Sequence, residues 1–289
     1  MLGAAGIAIG DVLPAIAKAK NGRVVAIASR DPQRARRAAE GYPGAGVSDS
    51  YEALLADSAV DAVYIPLVNS LHREWTLHAL AAGKHVLCEK PLAMNALEAE
   101  EMAAAAKSAG KHLMEAFMYR FHPRTQRFVS ALQGPLYVQA SFGFTAREAS
   151  DIRLQAELGG GALLDVGCYG VSAARWILGE PSSVLARSRM SGGVDMTTSA
   201  LLQFPGGQTA VVWASLESPE DQSLTVVARD EVHRLNRPFS SQEEVDEYQV
   251  MVESFAESIL LNKPVAIPLS ESIANMKVLD RIRDAAAKS

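Results

Sequence analysis

The chain has 289 residues, 48% of them hydrophobic and 21% charged, enough for two medium domains because one core rarely keeps growing past roughly 250 to 300 residues. No long polar or low-complexity tract argues for disorder. A net charge of −5 gives no broad basic field for a polyphosphate backbone, so nucleic acid is excluded as an expected partner and the run Arg34, Arg36, Arg37 reads as a solvated helix face.

In chain order, a tight turn at Gly3 leads into a helical pattern from about Asp11. Between Arg23 and about Met118, short β-branched runs then alternate with helical periods: 24–28, 31–40, 62–65, 71–82, 85–88, 95–109 and 112–114. Strands alternating with helices imply parallel βαβ units and a doubly wound parallel sheet with helices on both faces. The strand that should run into Gly3 is nearly absent, and this reading supposes residues ahead of Met1 that would supply it, since a missing central strand leaves its neighbours unpaired.

After about Pro135 longer strands follow one another, at 137–144, 183–189, 197–204, 208–216 and 223–229, and Phe204-Pro205-Gly206-Gly207 is a hairpin signal between two of them. This predicts a second domain built on a large open, mainly antiparallel sheet, with a first domain at 1–118 and the second at 119–289. Helices at 162–178, 248–261 and 269–287 are expected to cover one face of that sheet. The other face would be free to pair with a second copy, giving a homodimer or homotetramer. The polar stretch 230–248, with Glu243, Glu244, Asp246 and Glu247, reads as a solvated loop.

Cys88 and Cys168 lie in apolar stretches without paired or metal-ligand spacing, and His78, His85, His112 and His233 have no such spacing either, so no disulfide or metal site is expected. No apolar run reaches the roughly 20 residues that cross a bilayer, and the first residues show no export signal. A soluble, cytoplasmic protein without a membrane partner is the expectation.

Four motifs could carry chemistry. Gly3-Ala4-Ala5-Gly6-Ile7-Ala8 has the small residues that let backbone amides approach a pyrophosphate at a helix start. Ala5 stands where the fingerprint has its second glycine, so an ordinary strand-to-helix turn is an equal reading. Ser29-Arg30, at the end of the next strand, suits a 2′-phosphate better than a 2′-hydroxyl, which an acidic side chain would hold. Asp31 before Pro32 also reads as a helix N-cap, and both can hold. Glu89-Lys90-Pro91 ends a strand, where open α/β sheets bind ligands, although a surface ion pair would look the same. Gly159-Gly160-Gly161 precedes Asp165 and Tyr169, which are four apart and share one face of a helix start. Asp165 simply complementing the helix dipole is the alternative there.

Together these pieces resemble the Gfo/Idh/MocA family, named for glucose-fructose oxidoreductase, inositol dehydrogenase and a rhizopine-catabolism protein. The likeness runs through nearly the whole chain. It rests on 3–8, Ile65-Pro66-Leu67-Val68-Asn69-Ser70-Leu71-His72, Glu89-Lys90-Pro91, Glu115-Ala116-Phe117-Met118-Tyr119-Arg120-Phe121-His122-Pro123 and 159–169, in that order. The resemblance implies a Rossmann domain joined to an α/β domain, NADP as cofactor with NAD possible, and a catalytic set of Lys90, Asp165 and Tyr169. Gly3, Ala5, Gly6, Ile7, Ala8, Ser29, Arg30, Pro66, Asn69, His72, Glu89, Lys90 and Arg120 would bind the cofactor, with Asn69, His72 and Arg120 around its nicotinamide and ribose. Tyr at 169, rather than His, places the chain with the tyrosine-type members that resemble glucose-fructose oxidoreductase and dimeric dihydrodiol dehydrogenase.

The implied reaction moves a hydride between nicotinamide C4 and a hydroxyl-bearing or carbonyl carbon of a sugar-like substrate. Tyr169 would exchange the hydroxyl proton, Lys90 would hydrogen-bond the same oxygen and lower the phenol pKa from about 10, and Asp165 would orient Lys90 or a substrate hydroxyl. A trans-dihydrodiol dehydrogenase and a nucleotide-sugar keto-reductase fit the same motifs. A non-catalytic NAD(P)-sensing regulator shares the fold, but intact Lys90, Asp165 and Tyr169 argue against it.

Overall fold

The computed structural model describes residues 1–148, 150–240 and 245–288. It divides into two compact units: Met1–Ala93 with Leu97–Phe121 and Glu244–Ser272, and Met94–Ala96 with His122–Glu243 and Ile273–Ser289. Residues 243 and 244 of the acidic stretch lie outside the described residues.

In the first unit a helix starts at Gly6, passes through a π-helical turn at Ala8–Val12 and continues as α1 (Leu13–Lys18). It thus begins earlier than the expected Asp11, because the small residues Ala4, Ala5 and Gly6 let the chain coil directly out of the Gly3 turn. There follow β1 (Ala26–Ala28), α2 (Pro32–Glu40), β2 (Gly46–Ser48), α3 (Tyr51–Ala56), β3 (Ala62–Ile65), α4 (His72–Ala81), β4 (His85–Cys88), α5 (Ala96–Ala109) and β5 (Leu113–Glu115). β1 pairs with β2, and β3, β4 and β5 pair in that order, all in parallel.

Among the described residues, the first of the chain join these two groups. Leu2 bridges Ala28 in parallel, and the Leu2 amide donates to Tyr64 O at 3.0 Å. The Ala28 amide donates to Met1 O at 3.0 Å, and the Gly3 amide to Ala28 O at 2.8 Å. Met1 and Leu2 therefore act as a two-residue central strand. In line with them, between β1 and β3, lies a cavity of about 960 Å3 whose lining includes Val25, Val63, Leu87, Phe255 and Ile259. Met1 N donates to Ala26 O at 2.8 Å beside this cavity.

The second unit contains α6 (Pro123–Ala131), β6 (Tyr137–Thr145), α7 (Cys168–Leu178), β7 (Ser183–Ser191), β8 (Val194–Gln203), β9 (Thr209–Ser215), β10 (Glu217–Val227) and β11 (Val232–Asn236). Its six-stranded sheet has the order β11-β10-β6-β9-β8-β7, antiparallel except for β6 with β9. The expected hairpin at 204–207 closes β8 onto β9, with the Phe204 amide on Gln208 O at 2.9 Å.

Burial alternates along the strands. Ala210, Val212 and Ala214 of β9 are buried, and Gly170 of α7 comes so close to Val212 that a Cβ would lie 2.8 Å from its side chain. Leu185, Arg187, Leu201, Val211 and Trp213 occupy the alternate positions, and Leu185 is 64% exposed.

Two expectations change here. The stretch read as a loop contains β11, an edge strand whose register pairs Leu224 with Leu235; only Leu235 among its apolar residues is buried, so the sequence shows no alternation. After β11 come α8 (Glu247–Leu260) and α9 (Leu269–Ala287). The first of these, expected on the second sheet, belongs to the first unit. Met251, Val252 and Phe255 are buried, Lys18 pairs with Asp246 at 3.3 Å, and Asn21 Nδ2 donates to Glu253 O at 2.9 Å. Helical periodicity shows which face is apolar, but not which domain receives it. Among the described residues no helix is long and apolar enough to cross a membrane.

Candidate active site

In the first unit the candidate residues gather at the C-terminal ends of parallel strands, where such sheets bind ligands. Gly3 sits at φ +109°, and a Cβ there would lie 2.8 Å from the Leu67 side chain, so only glycine fits this turn. Gly6 opens the helix and has no atom within 4 Å of where a Cβ would stand. Ala5, Gly6 and Ile7 are partly or fully exposed while Ala8 is buried. The first amides of a helix have no intrahelical acceptor. With open space before them, they form a cradle that fits a dinucleotide pyrophosphate.

Ser29 is half-buried and Arg30 exposed directly after β1. Ser29 Oγ accepts the Asp31 amide at 3.2 Å, and Asp31 Oδ1 accepts the amides of Gln33 and Arg34 at 2.9 and 3.2 Å. The helix-cap reading of Asp31 therefore holds. That oxygen is committed to α2, and no carboxylate partner of Arg30 occurs among the described residues. A hydroxyl and a guanidinium at this strand end suit a phosphate.

Pro66 is buried and Asn69 half-buried after β3, and Arg120 is half-buried in the short helical turn Met118–Phe121. Lys90 follows β4, half-buried, in a cis Lys90–Pro91 peptide. Beneath it Glu89 is 8% exposed: Tyr64 Oη donates to its Oε1 at 2.7 Å, and the Lys90 amide donates to its Oε2 at 3.2 Å. Burial raises the Glu89 pKa against the opposing pull of Lys90 and the Tyr64 hydrogen bond. Burial and the Glu89 charge push Tyr64 well above its usual value. The Leu92 amide, just past the turn, donates to Glu115 Oε1 at 2.8 Å.

His72, expected around the nicotinamide and ribose, is fully buried. Its Nδ1 lies 2.9 Å from Pro91 O and its Nε2 2.9 Å from Leu67 O. Both polar atoms of the ring are thus engaged with the backbone. Burial lowers its pKa; the two carbonyl contacts oppose this and the Lys90 charge reinforces it.

In the second unit Asp165 lies in a π-helical turn, Leu163–Gly167, that runs into α7, where Tyr169 is the second residue. Asp195 Oδ2 accepts the Leu163 amide at 2.8 Å and Thr198 Oγ1 at 2.6 Å, holding the start of this helix. Gly161, at φ +112°, is required because a Cβ there would run into the Asp195 carboxylate. Burial raises the pKa of Asp195 despite these hydrogen bonds.

Arg153 Nε donates to Asp165 Oδ2 at 2.9 Å, Arg153 Nη1 donates to Asp151 Oδ1 at 3.2 Å, and the same guanidinium lies 5.3 Å from the Phe144 ring centre. Tyr169 is 5% exposed and packs on Phe239 and Phe142, with ring centres at 5.3 and 5.6 Å; those two rings stack on each other at 5.7 Å.

Tyr64, Arg153, Asp195, Phe142 and Phe239 were not singled out from the sequence. Tyr64 could have been, as a polar-tipped residue inside an apolar strand that ends at the site. Arg153 and Asp195 lie in a loop and at a strand start and leave no periodic signal.

The oxidoreductase family with an NAD-binding Rossmann fold matches residues 1–117, and the GFO/IDH/MocA C-terminal domain matches residues 132–232. The chain is 39% identical to D-xylose 1-dehydrogenase (NADP(+)) 2 of Haloferax volcanii over 99% of this chain and 96% of that protein. It is a Gfo/Idh/MocA oxidoreductase. Two proteins of known structure superpose on it closely. An aldose-aldose oxidoreductase of Caulobacter crescentus, solved with glycerol, gives a TM-score of 0.93 at 26% identity, covering 99% of this chain and 96% of that one. A 3-ketoreductase of Actinomadura kijaniata, solved with NADP and TDP-benzene, gives 0.87 at 30% identity, covering 98% and 96%. This Gfo/Idh/MocA chain is therefore an NAD(P)-dependent oxidoreductase with a Rossmann domain and an α/β domain carrying an open sheet.

Proposed function

We propose that the protein is an NADP-dependent oxidoreductase acting on a CH–OH group, or the matching carbonyl, of a sugar-like substrate. The observation that carries the cofactor choice is the end of β1: Ser29 and Arg30 stand there, and the nearest carboxylate, Asp31, is drawn into capping α2. NADP supplies the hydride acceptor or donor at nicotinamide C4 when bound. Gly3, Ala5, Gly6, Ile7 and Ala8 would hold its pyrophosphate, and Pro66, Asn69, Glu89, Lys90 and Arg120 would shape its nicotinamide end.

In the oxidising direction the substrate carbon gives up a hydride and its hydroxyl gives up a proton, which Tyr169 takes as phenolate; in the reducing direction the phenol returns it. Lys90 donates a hydrogen bond to the same oxygen, and its charge favours the phenolate. Asp165 orients a substrate hydroxyl or Lys90, and Arg153 holds its carboxylate in place. The sugar-like substrate class follows the xylose dehydrogenase and the aldose-aldose oxidoreductase that the chain resembles.

Fluorescence titration of the full chain is expected to show tight NADPH binding and weaker NADH binding. Arg30→Ala should weaken NADPH by about tenfold to a hundredfold, since hydrogen bonds to charged groups contribute roughly 1.5–3 kcal/mol, and leave NADH unchanged. Equal loss for both cofactors would remove the phosphate from this site.

The same proposal makes the enzyme a cytoplasmic homodimer or homotetramer associated through the open face of β7, β8 and β9, where Leu185, Leu201 and Val211 present an apolar surface. Light scattering that returned the monomer mass would remove this part.

A further inference from the structure

We propose that His72 is a positioning residue that sets Lys90 by donating from both ring nitrogens, as an imidazolium, to the carbonyls of Leu67 and Pro91. The two acceptors belong to two different loops. Leu67 lies between Pro66 and Asn69 after β3, and Pro91 immediately follows Lys90 after β4. The ring stands 2.9 Å from each oxygen, so one side chain spans the loops that carry three of the candidate site residues.

A backbone carbonyl can only accept, and a neutral imidazole has only one N–H. A neutral His72 would therefore set the lone pair of its bare nitrogen against a carbonyl oxygen at hydrogen-bond distance, with the ring fully shut off from water. Charging the ring converts that repulsion into a second, charge-assisted bond, which is shorter and about twice as strong as a neutral one. Burial and the neighbouring Lys90 charge hold the ring's pKa below its usual value against these two contacts, so the proposal stands on the geometry, in which both nitrogens face an acceptor at 2.9 Å.

The inference rests on the reading of Lys90 as catalytic, and two measurements on the full chain separate the failure of one from that of the other. Nitrogen-15 NMR of histidine-labelled protein at pH 7, assigned by loss of the signals in His72→Phe, is expected to show two protonated ring nitrogens for His72. One protonated and one bare nitrogen overturns the proposal, whatever Lys90 does.

In kinetics, His72→Phe keeps an aromatic ring without a donor and is expected to lower kcat at least about tenfold while NADPH affinity stays within about twofold. His72→Gln, which restores a donor, is expected to recover part of the loss. Unchanged kcat in His72→Phe overturns the positioning role. If His72→Phe fails to fold, His72→Gln alone carries the kinetics: a lower kcat at constant NADPH affinity supports the role, and parental kcat overturns it. Turnover retained by Lys90→Ala would instead sink the reading of Lys90 and leave the NMR result standing.

Discussion

Tyr169→Phe is expected to lower kcat by about 10²–10⁴-fold, the range a general acid or base contributes, with NADPH binding close to that of the parent chain. The substitution removes one oxygen and leaves a ring of the same outline against Phe142 and Phe239, whose centres lie 5.6 and 5.3 Å away. Folding should therefore be preserved, and the loss read in kcat belongs to the proton step. Lys90→Ala should give a loss of the same order, because the substrate oxygen then keeps neither its donor nor the nearby cation. Its backbone amide still reaches Glu89, so the turn itself remains. Stopped-flow turnover with a panel of aldoses measures both variants, and preserved turnover in the two together would refute the assignment.

The site was legible where a local pattern ends abruptly. Ser29-Arg30 and Glu89-Lys90 follow short apolar runs at the C-terminal ends of parallel strands, where ligands bind but where a helix cap or a surface ion pair looks the same, so each pointed to the candidate site only in company with the other motifs. Asp165 and Tyr169 were legible because three glycines precede them. What holds these residues was not legible. The Tyr64–Glu89 bond joins adjacent strands, Arg153 reaches Asp165 from an aperiodic loop, and Asp195 reaches back from β8 to the helix start.

The same distinction applies to the fold. Long periodic helices such as α9 were placed residue for residue, whereas β2 and α3, too short for a period, went unread and β11 was taken for a loop. The parallel pairing of β6 with β9 joins strands far apart in sequence, which no window along the chain contains.

The placement of α8 has a consequence for biosynthesis. The first unit takes its closing helix from residues 247–260, so the ribosome has made every strand of the second sheet before that unit can close over α1. The usual order, in which an N-terminal domain folds while the rest is still being translated, is denied to it. The half of the molecule translated first is the half completed late.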